Sequence, residues 1–120
     1  MKTFSKKVKR GLKEYAIKAY ELELHRELGK LEKSFAEWKA GKISSGELGY
    51  RIHRYYRGPS YKLFKKYNYG DHNINVAYAI VTGLLDREEM PEEIVMAIED
   101  EIGFYETLKE NGDLREPGGG

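Results

Sequence analysis

The feature that most constrains this chain is a helical pattern running unbroken over residues 5–40 and carrying two apolar stripes instead of one. Phe4, Val8, Leu12, Tyr15, Ala19 and Leu22 form the first stripe. Ile17, Tyr20, Leu24, Leu28, Leu31, Phe35 and Trp38 form the second, and helical spacing turns the two to well-separated sides. They overlap between Tyr15 and Leu24, so one face cannot serve the whole segment. Either the helix bends, with Gly11 or Gly29 as the place, or it runs straight and packs against different bodies at its two ends. A straight helix of this length is about 54 Å long. A compact chain of 120 residues has a radius of gyration of only about 14 Å. The helix should therefore protrude, and its first stripe should need a partner. On this ground Phe4, Val8, Leu12, Tyr15, Ala19 and Leu22 are the expected contact surface of a homodimer, with a two-fold isologous arrangement the commonest solution.

The helix ends are marked by local chemistry. Gly41 suits the C′ position, with Lys39 in the last turn toward the negative end of the dipole. Ser44 and Glu47 have capping-box spacing, with Ile43 and Leu48 as a hydrophobic staple. Gly58-Pro59 should end that second helix, and Pro59 should open a third, short helix with Tyr61 and Phe64 facing inward. Residues 74–85 are apolar nearly all round, which predicts a central helix. Pro91 should open a last helix whose inner face is Ile94, Ile98, Ile102, Tyr105 and Leu108, ended by Asn111-Gly112. No strand pattern is present. The expected fold is all-α: a single-domain bundle of about five helices with a long first helix over residues 1–112, followed by a flexible tail over 113–120.

Charge is uneven along the chain. Residues 1–67 hold 18 Lys/Arg against 7 Asp/Glu, and residues 68–120 hold 3 against 13, giving +11 and −10 within a net +1. The two halves should attract, and the simplest arrangement lays the acidic last helix against the basic first one. Cysteine is absent, so thiol chemistry and disulfides are excluded. Gln is absent as well, while Lys and Glu are abundant, a usage associated with thermophilic proteins. The start of the chain lacks the apolar run of a secretory signal, and no apolar stretch is long enough to span a bilayer. A cytoplasmic protein with no membrane partner is the expectation.

Three places could carry function. The segment 51–67 holds Arg51, Arg54, Arg57, Lys62, Lys65 and Lys66 with no acid, interleaved with Tyr55, Tyr56, Tyr61, Phe64 and Tyr67. Cations neutralise phosphates and aromatic faces stack on unpaired bases, so this segment is the candidate nucleic-acid surface. At helical spacing its rings equally suit a core and its cations a solvated face. The connector 68–75 gathers Asp71 and His72, a pair able to do acid–base work in a small enzyme, or simply to cap the next helix. Glu21 and His25 stand four apart on one helix face, but neither the Glu-x-x-His nor the His-Glu-x-x-His spacing occurs, so no metal is expected. No phosphate loop or nucleophile elbow is present, and no cofactor is expected. The leading expectation is a small interaction or regulatory protein that self-associates and binds a protein partner. A nucleic-acid-binding regulator and an enzyme centred on Asp71 and His72 are the alternatives.

Overall fold

The computed structural model describes residues 3–118, and all the regular structure among them is helical. Helix α1 (Lys6–Lys39) is continuous and neither glycine breaks it. Ser5 caps it, its hydroxyl accepting from the Val8 amide at 3.1 Å. Gly41 closes it at φ 75°, the left-handed turn that glycine adopts without strain. Its 34 residues span about 51 Å and set the long axis of a body 53 × 32 × 26 Å in extent.

Helix α2 (Ser45–Tyr55) begins as expected, with the Ser44 hydroxyl accepting from the Glu47 amide at 3.0 Å. The Glu47 carboxylate, however, accepts from Arg51 Nε at 3.1 Å one turn on. The expected break at Gly58-Pro59 does not occur. Residues Tyr56–Ser60 form a π-helical turn that leads directly into α3 (Tyr61–Tyr69), making one rod of the three pieces. Proline has no N–H to donate and its ring crowds the carbonyl four residues back. A wider turn accommodates both problems without ending the helix. The inner side of α3 is consequently Leu63 and Tyr67, not Tyr61 and Phe64.

Helix α4 (His72–Val81) is the central one, with Asn75, Val76, Ala77 and Ala79 buried. It packs between α1 and the last helix. After a 3-10 turn at Arg87–Glu89, the expected single last helix divides into α5 (Glu92–Ala97) and α6 (Glu99–Glu110). The division falls at Ile98, whose φ of −118° and ψ of 25° leave the helical region. This kink lets α5 pack on α1 while α6 packs on α4, and Ile98 itself is fully buried at the corner. The acidic α6 thus lies on α4 and not on the basic first helix. Among the described residues, a surface ion pair joins the charged halves at α1, Lys7 Nζ to Glu93 Oε2 at 3.2 Å, and exposed pairs of this kind contribute little.

The first apolar stripe of α1 meets this core. Val8, Leu12 and Ala19 are buried in it, joined by Ala16, and Phe4 and Tyr15 pack against its edge. Gly11 lies so close to Ile94 that any side chain there would collide with it, so its smallness serves packing and not a bend. The stripe expected to meet a second subunit is therefore occupied within the chain, and Leu22 alone of its six residues is exposed. The partner it needed is the chain's own α4–α6 layer. The segment beyond residue 112 does not hang free as far as it is described. Tyr78 Oη donates to the Arg115 carbonyl at 2.6 Å, and Arg26 Nη1 donates to the Pro117 carbonyl at 3.0 Å. Gly119 and Gly120 lie outside the described residues, as does Lys2 of the basic start.

Candidate functional site

The C-terminal half of α1 and the α2–α3 rod form an antiparallel hairpin extending from the core. Polar contacts along one side close it. Trp38 Nε1 donates to Ser45 Oγ at 3.0 Å near the tip. Arg51 Nη1 donates to Glu37 Oε2 at 3.0 Å and to Ser34 Oγ at 3.2 Å in the middle. Glu47, then Glu37, hold the Arg51 guanidinium pKa above its ordinary value.

At the base of the hairpin stands a residue that sequence analysis passed over. Glu23 of α1 is only 5% exposed. Lys66 Nζ donates to its Oε2 at 3.0 Å, and the Tyr67 hydroxyl donates to the same oxygen. The Lys66 ammonium also lies 3.9 Å from the centre of the Tyr78 ring, and Tyr20 stacks on Tyr67 with centroids 5.0 Å apart. Asn75 Nδ2 donates to the Lys66 carbonyl at 2.9 Å. The cluster thereby ties α1, α3 and α4 together. The only sequence signal was an acid at a position in line with Leu12, Ala16 and Ala19, a placement that a helical wheel shows but that reads as an error unless its cation is known.

Burial lowers the Lys66 pKa, against the raising influence of Glu23. Burial raises both tyrosines, with Glu23 adding to it: Tyr67 lies far above the usual phenol range and Tyr78 is pushed up to about 12. Tyr105, in edge contact with Tyr78, is raised by burial too. Phenols of the unfolded chain ionise near pH 10 (about 10 in model peptides). A raised folded pKa gives stability that is complete below that pH. It is lost as the pH climbs toward about 12, because the unfolded chain releases protons that the folded chain keeps. Lys66 opposes this trend, as one group against three. Unfolding midpoints are expected to fall steeply above about pH 10, with part of the phenolate absorbance appearing only on unfolding. A midpoint flat through that range would show these phenols to be solvated.

The opposite side of the hairpin is open and apolar. Tyr56, Tyr61 and Phe64 are 71%, 53% and 45% exposed. With Tyr20, Arg57 and Ser60 they line a groove of about 660 Å³. Further along α1, Leu28, Leu31 and Phe35, with Glu32 beside them, line a more open hollow, and Ile52 on α2 is also exposed. These α1 residues belong to the second stripe. That stripe, and not the first, is the one left uncovered by this chain.

The six cations of segment 51–67 do not act alike. Arg51 and Lys66 are committed to the internal contacts above. Arg54 lies over the Tyr50 ring at 5.7 Å and Lys65 over the Tyr61 ring at 4.7 Å. Arg57 lines the apolar groove. Lys62 lines a separate cavity of about 190 Å³ beside Glu23, Arg26 and Glu27, which Pro117 and Gly118 border.

The connector has structural work. Asp71 occupies the N-cap position of α4, but its exposed side chain accepts no capping hydrogen bond, and His72 begins that helix partly buried. Asn73 Nδ2 donates to Glu101 Oε2 at 2.7 Å, linking α4 to α6. Neither Asp71 nor His72 lines the groove or the cavity beside Glu23. Glu21 and His25 are both exposed on α1. Among the described residues no three His, Asp or Glu side chains converge as a metal would require, and no helix is long and apolar enough to cross a membrane.

The fold and this surface define a class, an all-α bundle with a protruding hairpin whose outer side presents aromatic, aliphatic and basic groups together. No protein-family model matches the chain, and neither a curated protein nor a solved structure matches it.

Proposed function

We propose that the chain is a binding module whose hairpin groove takes an acidic, amphipathic protein segment, most simply a helix laid between α1 and α2–α3. The observation that carries this reading is the exposure of Tyr56, Tyr61 and Phe64 around one groove, in a rod with no carboxylate from Leu48 to Gly70. Aromatic rings left in water beside aliphatic ones make a surface that gains by being covered. The helix-in-groove mode uses such a surface, and basic groups at the rim select an acidic partner.

A nucleic acid fits the same groove less well. Two of the six cations, Arg51 and Lys66, are paired with the chain's own carboxylates, which lowers the charge offered to phosphates. The separate hollow further along α1 is lined by Leu28, Leu31 and Phe35 with the carboxylate of Glu32, groups unsuited to contacting a phosphate backbone. The acid-free stretch from Leu48 to Gly70 nevertheless makes single-stranded RNA the competitor to test.

The experiment is a fluorescence anisotropy titration with an acidic amphipathic helical peptide and, in parallel, with oligouridine. Peptide binding is expected to weaken roughly thirtyfold in the double variant Tyr56→Ala, Phe64→Ala, the loss of about 2 kcal/mol typical of an interface hot spot. Tyr56 is largely and Phe64 about half exposed, and neither belongs to the buried core, so the fold should be retained. Oligouridine binding tighter than the peptide, with a steep salt dependence, would replace this reading by the nucleic-acid one.

A further inference from the structure

The chain carries, on its other helices, a surface complementary to its own groove. Helices α5 and α6 hold Glu92, Glu93, Glu99, Asp100, Glu101, Glu106 and Glu110 against the single cation Lys109. Among these carboxylates Met96 and Phe104 are largely exposed. Phe104 stands one helical turn after Asp100. α5 and α6 pack mainly on α1 and α4, and no residue of either lines the groove, so the acidic surface leaves the groove of its own chain open. One molecule thus bears a basic aromatic groove on its hairpin and an acidic surface with protruding apolar side chains on its last helices.

Resting on the reading of the groove given above, we infer that its occupant is a second copy of this chain, docked head to tail through α5–α6. Phe104 fills the aromatic groove, and the net negative charge of α5–α6 faces the rim around Arg57. Opposite charges on the two surfaces favour this pairing, whereas a two-fold pairing of groove with groove would oppose like charges. A contact between two different surfaces leaves each end of a pair with a free site. Association therefore continues beyond a dimer, into a closed ring or an open chain.

Sedimentation velocity on the full chain at low salt tests this with two surface variants, Tyr56→Glu on the groove and Phe104→Lys on the acidic side. The wild-type chain is expected to form species larger than a dimer as concentration rises. Their apparent Kd should rise at least roughly tenfold as salt goes from about 0.1 to about 1 M, where the screening length falls from about 10 to about 3 Å. Each variant alone should stop at the monomer or at much lower affinity. An equimolar mixture of the two should restore one contact and give a heterodimer that grows no further. Circular dichroism confirms that both variants fold.

A chain that stays monomeric at every concentration overturns the inference, as does a dimer indifferent to both variants. If that monomer still takes the acidic helical peptide, the second copy is the wrong occupant and the groove's proposed function stands. If it takes oligouridine alone, both fall.

Discussion

Replacing Glu23 by alanine is expected to lower the unfolding free energy by about 3–5 kcal/mol, the range for breaking a buried ion pair by removing one partner. Two donors lose their acceptor together. The Lys66 ammonium is mostly shielded from water, and the Tyr67 hydroxyl is buried on α3. A donor left unsatisfied carries its full desolvation cost, and a charged one carries more. The measurement is a urea midpoint at neutral pH. The companion variant Glu23→Leu, Lys66→Met, Tyr67→Phe, which removes both donors with their acceptor, should recover most of the loss, because a buried pair replaced by apolar groups of similar volume is often neutral. A single variant as stable as the wild type would mean that water reaches Lys66 freely. The same residue bears on binding. Glu23 joins the hairpin to α4 through Lys66 and Tyr67, and Tyr20, which stacks on Tyr67, also lines the groove. A loosened joint should therefore weaken peptide binding even where the chain remains folded.

Ile98→Ala is expected to cost about 2–5 kcal/mol, the range for truncating a buried aliphatic side chain. Ile98 is wholly buried and is among the largest side chains to be so. It occupies the corner between α5 and α6, where the backbone has left helical geometry. Two helices that depart from one point have little freedom to collapse into the vacated space, so the effect should fall in the upper part of that range. Ile98→Val, which removes one methylene, should cost only about 0.5–1.5 kcal/mol. Equal midpoints for the two variants would show the corner to be plastic. If the corner relaxes, α6 and with it Phe104 change direction, so assembly should weaken in the alanine variant before global unfolding is seen.

These two residues mark what a reading of the chain alone can and cannot reach. Ile98 was legible as an inward-facing residue, since it falls on the line of Ile94 and Ile102. The kink at Ile98 was not, because no glycine or proline stands there and the apolar line of Ile94, Ile98 and Ile102 runs straight through it. The kink arises because α5 and α6 bury their faces on different helices. Glu23 was on the correct face of α1 but unreadable in role, since its cation is Lys66, far along the chain. Gly58-Pro59 does not act as its residues suggest. The dipeptide ends most helices, yet here a π turn absorbs the proline and the rod continues. That continuity turned Tyr61 and Phe64 outward and so made the groove, where a core had been expected.

The long first helix, its end at Gly41, the Ser44 cap, the central α4 and the all-α class were determined by the sequence itself. Each depends on hydrogen bonds and backbone preferences that close within about one turn. Which stripe of α1 is buried was decided only by the tertiary structure. Both stripes are apolar enough to bury, and the chain has one layer of helices, α4–α6, with which to cover them. That layer reaches the N-terminal half of α1 and takes Val8, Leu12 and Ala19, leaving the α1 surface of Leu28 and Phe35 open beside the groove. An apolar pattern specifies that a face should leave water. It does not specify which body covers it, because that is settled by contacts between residues far apart in the chain.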